Sequence, residues 1–113
     1  MALTQISTEG IKNGTITGSD LATNIDLVDN QKLRLGTGND LQIYHDASGP
    51  ISYIKNTTNG YLYIQDDVGQ NIYIRATPNE NAAVFKPNGA VELFYDNSKK
   101  FETTSAGATI TGA

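Results

Sequence analysis

The sequence predicts an all-β fold of short strands stacked at a spacing of about ten residues. In short runs apolar and polar side chains alternate, and Gly, Pro, Asn and Asp fill the gaps between the runs. Aliphatic residues also recur at a step of 10 residues, at Ile54, Ile64, Ile74 and Val84. Alternation of period two is typical of strands, and the gap residues favour turns. We therefore expect a ladder of short strands joined by turns.

The first 30 residues are predicted to be an extended amino-terminal segment, distinct from the β-repeat domain of residues 31–113. Thr and Ile alternate between glycines at 14–18, which favours short extended pieces and turns. A short helix over 19–23 is an alternative, because Ser19 or Asp20 could accept hydrogen bonds from the free amide groups of a first helical turn.

The β-repeat domain is predicted to begin with a strand at 32–35 and a turn at 36–40. Residues 101–113 return to the Thr, Gly and Ile of the amino terminus, and all three prolines fall in predicted turns, as expected when strand interiors must donate N–H groups. Further strands are predicted at 41–44, 52–54, 61–64, 71–74, 82–85 and 91–95.

Alternation divides these strands into two faces. The tyrosines of the second face either cover the outside of the ladder or form a ring-lined surface for sugars or another protein. The first, aliphatic face is the predicted oligomer core and comprises Leu41, Ile43, Ile54, Leu62, Ile64, Ile72, Ile74, Val84, Val91 and Leu93. The second face carries Tyr44, Tyr53, Tyr61, Tyr63 and Tyr73.

Composition predicts that one copy of the chain is not enough. The 113 residues are 38% apolar, with 11 glycines and no tryptophan. A repeat of about ten residues buries about two aliphatic side chains, worth about 1.5–3 kcal/mol each, whereas ordering its backbone costs about 10–20 kcal/mol. Repeats must therefore stack on one another and on other copies, which favours a symmetric homo-oligomer. A sandwich, a barrel, a solenoid and an intertwined trimer are all compatible with the spacing.

Charge and motifs exclude several function classes. The net charge of -4 disfavours a nucleic-acid partner, and no apolar run is long enough to span a membrane. The start lacks the features of a secretory signal and cysteine is absent, so we expect synthesis in the cytoplasm without secretion. The pair Lys99-Lys100 is interpreted as a solvated edge.

No motif specifies a reaction, a cofactor or a metal, and we expect the protein not to be an enzyme. His45 is the sole histidine, so a zinc site would need copies of it around a symmetry axis. Gly36-Thr37-Gly38 lacks the third glycine of a dinucleotide loop, and the acidic pairs Asn39-Asp40 and Asp66-Asp67 are interpreted as turns.

Three stretches resemble known proteins. LRLGTGNDLQIYHD at 33–46, VELFYDNSKKFETT at 91–104 and the opening MALTQISTEGIKNGTITGSDLATN are similar to tail-fibre and related virion proteins of marine bacteriophages. The resemblance implies a homotrimeric β-rich fibre or spike on the virion, in the form of an intertwined β-helix, a β-prism or a sandwich-like rod. It also implies attachment to other virion proteins through the amino terminus.

The same resemblance leaves the role within the particle open. Longer family members continue into further repeats or a carboxy-terminal chaperone-like domain, so a fibre, a spike, a connector and a decoration protein are all compatible with this chain. The alternative function is a module of the receptor-binding apparatus that binds host-surface glycans through the tyrosine face.

Overall fold

A computed structural model describes residues 16–112 of the chain. These residues form eight strands in two antiparallel sheets, which confirms the all-β prediction, and a 3-10 helix at Gly18–Asp20. The chain divides into two compact units between Leu62 and Tyr63, inside the predicted 31–113 domain, and each unit holds one sheet. The attachment role of residues 1–30 stays a prediction, and residues 1–15 lie outside the described part.

The short helix starts one residue before the predicted alternative at 19–23 and is a single turn. The side chain of Asp20 stabilises this turn. The Asp20 carboxylate accepts hydrogen bonds from the Thr17 N–H at 2.8 Å and from the Thr17 hydroxyl at 2.7 Å. These bonds satisfy a free amide group at the start of the turn and hold the pKa of Asp20 below its ordinary value.

The first unit contains a three-stranded sheet in the order β1-β2-β3. Its strands are β1 Lys32–Leu35, β2 Leu41–Asp46 and β3 Ile51–Asn56. The turn between β1 and β2 contains Gly36 and Asn39, with φ of 88° and 57°. Gly and Asn accept this left-handed conformation at the lowest cost, which is why the predicted turn at 36–40 forms where it does.

The second unit is a five-stranded meander in which each strand pairs with its sequence neighbour. Two residues separate β6 from β7, Asp96 at φ 48° and Asn97 at φ 59°, as a type I′ hairpin requires. The Asn97 side-chain oxygen also accepts a hydrogen bond from the Asn81 N–H at 3.1 Å. The strands are β4 Ile72–Thr77, β5 Glu80–Phe85, β6 Val91–Tyr95, β7 Ser98–Thr104 and β8 Gly107–Ile110.

The strand predicted at 61–64 is absent, and these residues have no regular secondary structure. The preceding turn is closed by Asn56, whose side-chain amide donates to the Gly60 carbonyl at 3.0 Å. The following turn is closed by Asp66, whose carboxylate accepts from the Val68 and Gln70 N–H groups at 3.0 and 2.8 Å. Alternation gives the segment the side chains of a strand, but a strand also needs a partner for its backbone ladder.

The interior is small. Among residues 16–112, the buried residues are Ala83 and Val84 on β5 and Glu92 on β6, with Val84 only 2% exposed. They lie on neighbouring strands of the second unit, and Val84 is directly opposite Glu92. Each sheet therefore has little covering from its own unit.

We predict that the β6–β7 turn stabilises the second unit through both its backbone conformation and the Asn97 side chain. Asn97→Ala should destabilise the fold by about 2 kcal/mol, because Ala disfavours positive φ and cannot accept from Asn81. Asn97→Gly restores the backbone freedom but not the hydrogen bond, and should cost about 1 kcal/mol or less. Urea denaturation at one fixed protein concentration measures both.

Asn79 provides the matched control, because it lies in the two-residue connection between β4 and β5 and is not among the residues with positive φ. Asn79→Ala should change stability by less than about 0.5 kcal/mol. Equal losses for the Asn97 and Asn79 variants would contradict the account of the turn.

Candidate functional site

The first sheet has one aliphatic face. Antiparallel partners point to the same side, and Leu33, Ile43 and Ile54 are direct partners across the three strands. Leu35 and Leu41 form the next row of the same face. Ile54 is 64% exposed in the chain, and Ile43 is 41% exposed. This face carries three of the predicted core residues, and the described residues of the first unit cover it only in part.

A segment before β1 runs beside this face and leaves a hollow. The Asn30 N–H donates to the His45 carbonyl at 2.9 Å, and the Asn30 side chain accepts from the Ala47 N–H at 3.3 Å. These bonds anchor the segment to the end of β2. The hollow has a volume of 580 Å³ and an open mouth, and its lining includes Ile25, Leu27, Val28, Ile43, His45, Ser52 and Ile54.

His45 lies in this hollow beside a serine. Its Nδ1 is 3.0 Å from the Ser52 hydroxyl, and the two residues are direct partners on β2 and β3. Asp46 follows in the chain but belongs to the opposite face, where it accepts from Ser48. Asp46 therefore does not supply the carboxylate that would orient a hydrolytic histidine. Within residues 16–112 no three metal-ligating side chains gather, and the symmetry-axis hypothesis for His45 stays a prediction.

The second sheet also has an aliphatic face, and it is wider. The register places Ile74, Ala83, Leu93, Phe101 and Ile110 in one row across all five strands, with Ile72, Phe85 and Val91 in the next. Leu93 is 46% exposed and Ile110 is 78% exposed. Ile64 adjoins this face, since it lines a 390 Å³ hollow together with Ile72, Ile74 and Phe85.

The predicted core set does not lie on one face of this sheet. Val84 pairs with Tyr73 and Glu92, on the side opposite Ile72 and Ile74. The 10-residue step from Ile74 to Val84 crosses a hairpin, and the turn and the bulge near Arg75 reset the alternation. Leu62 lies in the segment without strand conformation. Leu41, Ile43, Ile54, Ile72, Ile74, Val91 and Leu93 lie on the aliphatic faces of their sheets.

Sequence reasoning missed four members of the second aliphatic face. Ala83, Phe85, Phe101 and Ile110 complete it. A signal for Phe101 was present in the Asp96-Asn97 pair, because a two-residue hairpin there fixes which β7 residue faces Leu93.

A charged cluster occupies the opposite face of the second sheet. The Lys86 ammonium lies 2.7 Å from the Glu92 carboxylate, and the Lys99 ammonium lies 3.4 Å from Glu92 and 2.6 Å from Glu102. Lys99 and Lys100 are exposed, which agrees with the interpretation of this pair as solvated, and the Lys99 ammonium also links two carboxylates. Glu92 is buried beneath the two lysines, at 7% exposure.

The cluster shifts two titrations in opposite directions. The hydrogen bond from Lys86, with a further one from Lys99, holds the pKa of Glu92 below its ordinary 4.5. The hydrogen bond to Glu102, with that to Glu92, raises the pKa of Lys99 above 10.5. The lowered carboxyl pKa stabilises the fold above pH 4.5, and this contribution is lost as pH falls through the folded-state pKa. The raised ammonium pKa stabilises the fold below pH 10.5, and this contribution is lost as pH rises through the folded-state value.

The five predicted tyrosines are divided between the two units. Tyr44 and Tyr53 stack on the first sheet with centroids 5.0 Å apart. Tyr73 belongs to the second unit, where the Arg75 guanidinium lies 5.3 Å from its ring centroid. Tyr61 and Tyr63 lie in the segment without strand conformation. Only the first sheet therefore brings two of these rings together on neighbouring strands.

Both ring faces of Tyr44 are occupied. The Lys32 ammonium lies 4.2 Å from its centroid, and Tyr53 stacks on it from the neighbouring strand. Lys32, Tyr44 and Tyr53 are direct partners on β1, β2 and β3, so the lysine and the second ring flank Tyr44 from opposite sides. Within this row, the ring face left for a sugar to stack on is therefore the outer face of Tyr53.

No protein-family model matches the chain, and no curated protein or solved structure is significantly similar to it. Within residues 16–112 there is no helix long and apolar enough to cross a membrane. The features of the described residues that bear on function are therefore the two aliphatic faces, the charged cluster and the Lys32–Tyr44–Tyr53 row.

We predict that Glu92 gives the fold part of its acid sensitivity. The wild-type free energy of unfolding should fall as pH drops below 4.5. The reason is that the Glu92 carboxyl binds a proton more tightly in the unfolded state than in the folded state. Glu92→Gln should be less stable at neutral pH and should lose stability less steeply on acidification. Urea denaturation between neutral pH and pH 3 measures the slope.

Glu80→Gln is the control, because this carboxylate accepts from the Thr77 hydroxyl at 3.3 Å and is absent from the ion pairs of the described residues. It should keep the wild-type slope. Parallel pH profiles for wild type and Glu92→Gln would contradict the role of the cluster.

Proposed function

We propose that the chain is a structural protein of a bacteriophage virion, assembled from several copies, three in the simplest arrangement, into a β-rich fibre or spike. The observation that carries the proposal is an exposed aliphatic face on each sheet. Copies of the chain cover these faces in the assembly. The resemblance of residues 33–46 and 91–104 to tail-fibre repeats supports the virion context.

Surface area supports association. The whole chain exposes 9804 Å². The residues outside 16–112 would contribute about 2,300 Å² at most, on the scale of an extended chain, leaving about 7,500 Å². Two separate compact bodies of about 5.2 kDa each would expose about 6,500 Å² together. The excess of about 1,000 Å² exceeds the roughly 800 Å² that each partner buries in a standard interface.

Packing supports the same proposal. A folded domain offsets its conformational entropy mainly by burying apolar side chains, and the described residues bury only Ala83 and Val84 of that class. Covering Leu93 and Ile110 in an interface would stabilise the fold by about 1–2 kcal/mol each, given that both are partly exposed in one chain.

The sheet edges also favour assembly. The outer strand β8 carries Gly107, Ala108, Thr109 and Ile110. Exposed edges usually carry Lys, Pro or a bulge that prevents pairing with other chains, and this strand has neither residue. A neighbouring copy in a defined assembly satisfies or shields such an edge.

A second candidate function is binding of host-surface glycans. The specific observation in its favour is the row of Lys32, Tyr44 and Tyr53, whose outer member keeps one ring face toward the sheet edge. The two functions are compatible, because this row and the aliphatic residues occupy opposite faces of the same sheet.

Adjacent β8 residues test the assembly. Ile110→Asn should dissociate the oligomer or lower its stability by about 2 kcal/mol, because assembly would bury the amide among aliphatic side chains. In a single chain the same change should cost less than about 0.5 kcal/mol, since Ile110 is 78% exposed. Urea denaturation and light scattering at several protein concentrations measure the difference.

Thr109→Asn is the matched control, because Thr109 pairs with Glu102 and so points to the opposite face. It should leave the mass and the stability near wild type. Equal behaviour of the two variants would contradict assembly through the aliphatic face of the second sheet.

The virion role is tested on purified particles of the phage that encodes the chain. Quantitative mass spectrometry should find the protein at a fixed copy number per particle. Expression in infected cells without incorporation into particles would contradict the proposal.

A further inference from the structure

The outer face of the first sheet, opposite its aliphatic face, concentrates positive charge on an acidic protein. Lys32 and Arg34 on β1 and Lys55 on β3 share this face, whereas Asp46 at its end is the one carboxylate among its described strand residues. They are three of the seven Lys and Arg residues between 16 and 112, and the whole chain has a net charge of -4. The local charge is therefore opposite to that of the molecule.

The register sets the geometry of this face. Lys32, Tyr44 and Tyr53 form one row across the strands, and Arg34, Gln42 and Lys55 form the next. Residues two apart on a strand are about 7 Å apart, and β1 and β3 are about 10 Å apart. The four corners of this rectangle are thus three cations and the ring of Tyr53.

The three cations are available to a ligand. None of the ion pairs in the described residues involves Lys32, Arg34 or Lys55, and all three side chains are exposed. Lys32 contacts the Tyr44 ring at 4.2 Å, which fixes its ammonium beside the aromatic pair. The Gln42 side-chain amide, which lies between Arg34 and Lys55, already donates a hydrogen bond to the Asn39 carbonyl at 3.1 Å.

We propose that this outer face binds an acidic polysaccharide, with sugar carboxylates on Lys32, Arg34 and Lys55 and a sugar ring against the outer face of Tyr53. The inference rests on the glycan-binding candidate function and names its ligand class. It does not require the oligomer, because the outer face lies opposite the aliphatic face that copies are proposed to cover.

A polymer fits this face better than a single small anion does. Each cation is exposed, so one carboxylate gains little from one contact with it. A chain that carries a carboxylate on each sugar engages several corners at once, and the contacts after the first are intramolecular. Nucleic acid is disfavoured, because its dense phosphates meet a molecule of net charge -4 with only three cations on this face.

The test uses the full chain and immobilised polygalacturonate at low ionic strength. Wild type should bind saturably and dissociate as salt is added, because the contacts are ionic. Arg34→Gln and Lys55→Gln should each weaken binding about fivefold, and the double variant at least about tenfold. Lys100→Gln removes the same charge from an exposed position in the second unit and should leave binding unchanged.

A second variant separates sugar recognition from simple charge attraction. Tyr53→Leu should weaken binding to polygalacturonate about fivefold but leave the weaker attraction to polyglutamate unchanged, because only the sugar polymer stacks on the ring. Circular dichroism and native mass of each variant establish that fold and assembly are retained.

Three results would overturn the inference. They are no binding of wild type to polygalacturonate, equal loss in Lys55→Gln and Lys100→Gln, and equal binding to polygalacturonate and polyglutamate. Binding to neutral glycans that is lost in Tyr53→Leu but not in Arg34→Gln would also overturn the acidic ligand class, while leaving the broader glycan-binding function standing.

Discussion

The structure depends on one constraint: each unit holds a single antiparallel sheet, and the aliphatic face of that sheet stays partly exposed among the described residues. A sheet of this kind needs a second layer, supplied by a helix, another sheet or another chain. Among the described residues, the interior consists of Ala83, Val84 and Glu92, all on two neighbouring strands. We propose association of copies as the source of the missing layer, and this proposal rests on the exposed faces independently of any resemblance to phage proteins.

The polar sides of the two sheets are organised differently. On the second sheet, Glu92 is enclosed by Lys86 and Lys99, so its charges are compensated within the chain. On the first sheet, Arg34 and Lys55 form no ion pair with any residue between 16 and 112, and they lie near an aromatic stack. The first arrangement stabilises the fold through hydrogen-bonded ions, whereas the second leaves cations available to a ligand.

The sequence allowed much of the local structure to be predicted, because strand alternation and turn residues act over short distances. The strand at Lys32–Leu35 and the turn with Gly36 and Asn39 follow from these rules. The prediction of a strand at 61–64 was wrong, because alternation specifies side-chain faces but not a pairing partner. Val84 was assigned to the wrong face because a hairpin and a bulge separate it from Ile74, and alternation counted across a turn does not keep its phase.

The site was harder to predict than the fold, because its members are far apart in sequence. Lys32 and Tyr44 meet only through the register of β1 with β2, and Lys99 reaches Glu92 only through that of β6 with β7.

The measurement that tests the central claim most directly is sedimentation equilibrium of the full chain across a wide dilution series. Coverage of the aliphatic faces by other copies predicts a multiple of the 12.1 kDa chain mass, about 36 kDa for three copies. A cooperatively folded species of 12.1 kDa at all concentrations would contradict it.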